Sequence, residues 1–260
     1  MFYSTSSDGT RIAFDRSGAG PALLIVGGSL ADHHFYAPLA AEFAARDFTV
    51  YNIDRRGRGD SGDTPPYAVD REVEDVAAVV AEAGGHAHVY GHSAGSALAL
   101  RAAAAGLDID RLVMADPPFT PPDGDPEAAR AEHTQQRQHI ERLNGGGDYR
   151  GSVKFFLRDY GLPDDAMDDM LSSPAGASMI AAAQVLPYDY AMLGDGILPV
   201  DLAAGVTVPT LVIAGQDQPA TAEALAAALP QGELRLTDAS THELSATEIA
   251  AVVTPFLTSH

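Results

Sequence analysis

The stretch Val89-Tyr90-Gly91-His92-Ser93-Ala94-Gly95-Ser96-Ala97 constrains this chain more than any other. An apolar β-type run, His88-Val89-Tyr90, leads into Gly-x-Ser-x-Gly, and the helix formers Ala97-Leu98-Ala99-Leu100 lead out of it. Small residues two positions to either side of a serine, between a strand and a helix, are the mark of a very sharp turn. Such a turn strains the serine backbone and lifts its hydroxyl clear of the sheet. It also aims the N–H of the next residue, Ala94, at any negative oxygen that develops there. Ser93 is therefore the candidate nucleophile, the alternative being a glycine-rich turn that only packs a helix on a sheet.

The remaining sequence alternates strands with helices. Phe2 to Asp15 reads as a hairpin turning at Asp8-Gly9, and Ala22-Leu23-Leu24-Ile25-Val26 as a strand buried on both faces, ending in Gly27-Gly28-Ser29. Tyr36, Leu39, Ala40 and Phe43 fall at helical spacing, and Phe48 to Ile53 is the next strand, closed by the glycine-laden turn Asp54 to Gly62. Asp70 is expected to cap a helix whose stripe is Val73, Val76, Ala77 and Val80. Beyond the serine turn, Arg111 to Ala115 reads as a strand stopped by Asp116-Pro117-Pro118. Strand and helix resume at Pro209 to Ala214, with a last helix that Pro255 should kink or fray. This rhythm predicts an α/β fold with a mostly parallel sheet covered on both faces. Between residues 117 and about 205 it breaks into proline clusters, Gly145-Gly146-Gly147 and short helical patterns.

Four pieces in order, the Gly27-Gly28-Ser29 loop, the Asp54 to Gly62 turn, the Gly91 to Gly95 turn and His242 before the last helix, make the chain resemble the α/β-hydrolase superfamily over essentially its whole length. The resemblance implies an eight-stranded sheet in a core domain of residues 1–116 and 206–260, with a helical cap at 117–205 inserted after strand 6. It implies His242 as the base that takes the serine proton and returns it to the leaving group. It also implies backbone N–H groups of Ser29 and Ala94 as the donors that bind the developing oxyanion. The family usually has a histidine where this chain has Gly27. The acid that orients the base usually follows the seventh strand as Gly-x-x-Asp, yet here Gly215-Gln216-Asp217-Gln218 puts Gln218 in that place. Some members carry the acid after strand 6, where Asp116 stands. Asp116 is favoured over Asp217. His86, His88, His133 and His139 read as packing or solvent residues, His92 as packing beneath the turn, and Asp54 as structural.

The resulting expectation is a serine hydrolase of a carboxylic ester, lactone or thioester, with Ser93, His242 and Asp116 catalytic, Ser29 and Ala94 binding, and no cofactor or metal. The alternative is a non-hydrolytic protein of the same fold: a lyase, a cyclase or a small-molecule binding protein. Sixteen basic against 36 acidic residues give a net charge of −20, which repels phosphate backbones and anionic lipids, so a small-molecule substrate is expected rather than nucleic acid or membrane. Aromatic and long apolar residues in the insert (Phe119, Phe155, Phe156, Tyr160, Met179, Tyr188, Tyr190, Met192) suggest an apolar substrate moiety. Without cysteine there are no disulfides or thiolates, and without a signal-like N-terminus or a long apolar run the expected location is the cytoplasm.

Overall fold

The computed structural model describes residues 1–158, 161–216 and 219–259. Strands β1 (Phe2–Thr5) and β2 (Arg11–Gly18) form the expected hairpin. Then come β3 (Ala22–Val26), α1 (His33–Ala44), β4 (Thr49–Ile53), α2 (Val69–Glu82), β5 (Ala87–His92), α3 (Ala94–Ala104) and β6 (Ile109–Ala115). The helices α4 (Pro126–Gly145), α5 (Tyr149–Arg158), α6 (Asp164–Leu171), α7 (Pro174–Ala182), α8 (Leu186–Leu193) and α9 (Val200–Ala204) precede β7 (Thr210–Gly215). The chain closes with α10 (Ala220–Ala228), β8 (Gly232–Thr237) and α11 (Ala246–Leu257).

The strands form one eight-stranded sheet in the order β1-β2-β4-β3-β5-β6-β7-β8. The β1–β2 and β2–β4 pairs are antiparallel and all others parallel. Alternate strand residues face two apolar layers, as a sheet covered on both sides requires. Leu24 and Val26 of β3 pack toward α2, α3 and α10, whereas Leu23 and Ile25 pack toward α1 and α11. The chain leaves β3 to one side through α1 and β4, then crosses to β5 on the other side. A crevice therefore opens at the carboxyl ends of β3 and β5, the usual place for a ligand in such a sheet. Ser93 lies at that crevice.

Helices α4 to α8 have an apolar cluster of their own, built on Ile140, Val153, Leu157, Met167, Leu171, Leu186 and Tyr190. Leu30, from the loop after β3, is buried in that cluster, so the loop beside the crevice is held by the insert above it. Met192, Leu198 and Ala203 pack instead with the main core beneath α3.

Two local expectations are corrected. Asp70 is not the cap of α2: the helix begins at Val69 with Ala68 at the cap position, and no side chain bonds its first amides. Its register is set by buried ion pairs, which turn Glu72 toward Arg55 and Asp75 toward Arg56. Asp70 stays in the first turn, where its charge still favours the helix N-terminus. Pro255, expected to kink or fray the last helix, leaves α11 helical as far as Leu257. So close to the carboxyl end, the single amide bond lost at a proline is cheap to forgo.

Candidate active site

Ser93 has φ 52° and ψ −124°, a conformation that side chains other than glycine adopt at a cost. Crowding explains the glycines around it. A Cβ on Gly95 would lie 2.1 Å from the Val26 carbonyl oxygen, and one on Gly91 2.6 Å from the Gly95 carbonyl. The turn is held by the Ser93 amide bonding to Ala115 O (2.8 Å) and by the Ser96 hydroxyl bonding to Ser93 O (2.6 Å). Strand β5 thus delivers the hydroxyl, and α3 begins at Ala94 directly behind it.

The loop after β3 provides the opposite wall. A Cβ on Gly27 would sit 2.6 Å from the Tyr36 ring, so glycine there leaves the room that Tyr36 fills. The Tyr36 hydroxyl in turn accepts the Gly28 amide at 2.9 Å. With the Gly28 N–H engaged, the next amide, Ser29 N–H, is the candidate donor from this loop. Ser29, Ser93 and Ala94 all line one cavity.

Asp116 follows β6, with φ 44° and its amide bonded to Ile213 O of β7 (2.8 Å). Its Oδ2 accepts three bonds: from the Ser240 hydroxyl (2.7 Å), the Thr241 amide (2.6 Å) and the Thr241 hydroxyl (2.6 Å). Because the Thr241 hydroxyl donates to a carboxylate, its oxygen must accept from His92 Nε2, 3.1 Å away. His92 Nδ1 is then the acceptor for the Tyr36 hydroxyl at 2.8 Å. Every proton in the series is thereby assigned: Gly28 N–H to Tyr36, Tyr36 O–H to His92, His92 Nε2–H to Thr241, and Thr241 O–H to Asp116. Burial first, and then the neighbouring His242, push the His92 pKa down against the opposing charge of Asp116, from 6.5 to about 3 in all. A neutral His92 is what the series needs.

His242 lies just past β8 on the open side of the crevice, its ring 4.3 Å from that of His92. A ring nitrogen of His242 and a carboxylate oxygen of Asp116 fall within 4.8 Å of each other. Desolvation lowers the basicity of His242 and the charge of Asp116 acts against it. His242, Ser93, Asp116 and Ser29 line a cavity of about 700 Å³. Asp217 and Gln218 lie outside the described residues, as does Tyr160.

A second cavity of about 500 Å³ also reaches Ser93, and its far wall comes from α4 and α8. Of the insert residues named from sequence, Phe119, Phe156, Met179 and Tyr190 line one or both cavities. Tyr188 instead stacks on Tyr67, Phe155 on His139, and Met192 packs in the lower core. His133, read from sequence as packing or solvent, stands in the smaller cavity's wall with Nε2 donating to Tyr190 O at 3.1 Å. Asp189 stands there too, fully buried. Its Oδ1 takes Arg55 at 2.9 Å and Arg58 at 2.8 Å, and Arg55 also pairs with Glu72 at 2.8 Å. Burial would raise the Asp189 pKa, but the Arg58 and Arg55 charges overcome it and hold it below the usual carboxylate range. This cluster ties α8 to the turn after β4.

Two groups have metal-compatible spacing among the described residues: His92, Asp116 and His242, and His33, Asp54 and Asp60. In the first, both His92 nitrogens and Asp116 Oδ2 are already satisfied by the series above. In the second, Asp54 accepts the His33 amide and ring and the Asp60 amide, which fixes the start of α1 against the turn. Hydrogen bonds thus already occupy His92 and Asp116 Oδ2 in the first set and Asp54 in the second, which suits hydrogen-bonded scaffolds better than cation sites. Thr241, Ser240, Tyr36 and Asp189 carry no sequence signal for this site, because their partners are remote along the chain, and Glu132 and Gln136 carry none either.

No helix among the described residues is long and apolar enough to cross a membrane. Comparison with known proteins agrees with the fold. A family model described as alpha/beta hydrolase family matches residues 22–253. An alpha/beta hydrolase of known structure from Sphaerobacter thermophilus is 41% identical with a TM-score of 0.86, covering 99% of this chain and 100% of that one. A thermophilic esterase from Thermogutta terrifontis, 21% identical over 98% of this chain and 97% of its own, shares the fold with a TM-score of 0.74. N-formylmaleamate deformylase from Pseudomonas putida is 36% identical over 124 residues, 46% of either chain, so this similarity spans a little under half of that enzyme. With a matching architecture, a matching family model and a full-length relative, this chain belongs to the alpha/beta hydrolase family.

Proposed function

We propose that the protein is a serine hydrolase of carboxylic esters, lactones or thioesters, working beneath a helical cap formed by residues 117–205. The observation that carries this reading is the strained Ser93 turn opening onto one cavity together with His242. Ser93 Oγ attacks the carbonyl carbon while its proton passes to His242, and the N–H groups of Ser29 and Ala94 hold the oxyanion. The bond from acyl carbon to leaving oxygen or sulfur breaks, and His242 returns the proton to the leaving group. Water then repeats the cycle to release the acid and free Ser93. Asp116 orients His242 and stabilises its charged form. A His242 held below the ordinary histidine range is unprotonated at neutral pH and ready to accept.

Support also comes from a relative named for a deformylase and a structural neighbour named an esterase. The net charge of −20 favours a small molecule over nucleic acid or membrane as partner. The test is intact mass after treatment with a fluorophosphonate, with Ser93→Ala as control. One adduct that disappears in the variant is expected. Full labelling of folded Ser93→Ala would refute the assignment, and no labelling of the wild type would favour a non-hydrolytic use of the pocket.

A further inference from the structure

The two cavities that meet at Ser93 differ in chemistry, and the candidate base faces only one of them. His242 lines the larger cavity and not the smaller, whereas Ala94 lines the smaller and not the larger; Ser29 and Ser93 line both. A base that delivers its proton to the leaving group must face it. On the reading above, on which this inference rests, the leaving group therefore departs into the larger cavity. The acyl portion, anchored at Ser93 and the two amides, extends into the smaller.

Beyond the reacting groups, the larger cavity is walled mainly by Leu30, Phe35, Leu157, Leu162 and Met179, with Tyr36, Thr221 and Glu243 among its further polar side chains. The smaller cavity carries Thr120, Glu132, His133, Gln136 and Asp189 beside the apolar Phe119, Phe156 and Leu193. No lysine or arginine lines either cavity among the described residues. Apart from hydroxyls and the imidazole, the smaller cavity holds the Glu132 carboxylate and the Gln136 amide, while the Asp189 carboxylate is paired with Arg55 and Arg58. Such a wall rewards hydrogen-bond donors and repels negative charge.

We infer that the substrate is divided in polarity: a non-anionic acyl group bearing hydrogen-bond donors (hydroxyl or amide N–H), joined to an apolar leaving group.

The test uses benzyl and methyl esters, whose alcohols have similar acidity, so their ratio reads apolar contact rather than leaving ability. The acyl series is 3-hydroxybutyrate, N-acetylglycinate, butyrate and the succinate half-ester. The first two are expected to exceed butyrate in kcat/KM by about tenfold, the size of one good hydrogen bond. Succinate should fall below butyrate, and benzyl should exceed methyl throughout. Gln136→Leu should flatten the acyl preference with the benzyl-to-methyl ratio intact, and Met179→Ser should do the reverse. Preference for butyrate, or Gln136→Leu changing the benzyl ratio instead of the acyl preference, overturns the inference. A protein labelled by fluorophosphonate at Ser93 that shows no such acyl preference leaves the serine reading standing and removes only this one; loss of the label removes both.

Discussion

Replacing Thr241 by valine removes one hydroxyl and little else, since the two side chains share shape and Thr241 is buried. That hydroxyl donates to Asp116 Oδ2 at 2.6 Å and accepts from His92 Nε2 at 3.1 Å. A bond to a charged group is worth roughly 1.5–3 kcal/mol, and a buried N–H left without an acceptor costs roughly 1–3 kcal/mol. Asp116 keeps the Ser240 hydroxyl and the Thr241 amide, so it is not orphaned. Together these predict a loss of about 4 kcal/mol, or about 8 °C in Tm for a chain of this length. Activity should fall as well, because Asp116 and His92 lose their common tether. Thr241→Ser retains the hydroxyl and gives up only a methyl group, which predicts a loss of about 1 kcal/mol and near-normal turnover. Calorimetry and kcat on both variants decide the matter. Equal destabilisation by valine and serine would show that the hydroxyl contributes nothing and that the assigned proton series is wrong.

Asp116→Asn should reduce kcat by two or more orders of magnitude, while Asp217→Asn keeps most of it; comparable mild losses in steady-state assays would reject Asp116 as the orienting acid. Asp189→Ala leaves Arg58 without a carboxylate and should cost about 3–5 kcal/mol in urea unfolding, part of it recovered in the Asp189→Ala/Arg58→Met double variant. His92 has a folded pKa far below its ordinary 6.5, so below pH 6.5 the unfolded chain binds a proton that the folded chain refuses. Its contribution is present above pH 6.5 and is lost as pH falls toward 3, by about 2 kcal/mol between pH 7 and pH 5. Urea melts of the wild type against His92→Asn should differ in pH slope by that amount, and identical slopes would contradict a buried neutral His92.

Ser93 is legible in the sequence because the two glycines that mark its turn stand two residues to either side of it and report directly on crowding. Asp116 is legible as a strand end for a similar reason, since the apolar run and two prolines bracket it. No local pattern in the turn after β4 tells that Arg55, Arg56 and Arg58 are all buried. Their partners Glu72, Asp75 and Asp189 arrive from α2 and from α8, and only the folded chain brings those carboxylates close. The same pairs moved the start of α2 away from the Asp70 cap. The hydrogen-bond series through Tyr36, His92, Thr241 and Asp116 escapes a linear reading: successive links join positions 56, 149 and 125 residues apart. Periodicity sees Tyr36 only as one more apolar residue on a helix face.

The carboxylate of Asp189 has a double duty, and this governs how a lineage built on this scaffold can change. It stands in the wall that faces the acyl group and at the same time neutralises two buried guanidinium groups. A substitution there that would admit a new acyl chemistry also removes the counter-charge that keeps the insert seated, so selection for fold and selection for specificity collide at one codon. Leu157, Leu162 and Met179, on the opposite side, have no such second obligation beyond ordinary packing. Leaving-group preference is thus free to drift among homologues, whereas a switch of acyl preference at Asp189 requires coordinated replacement of Arg55 or Arg58.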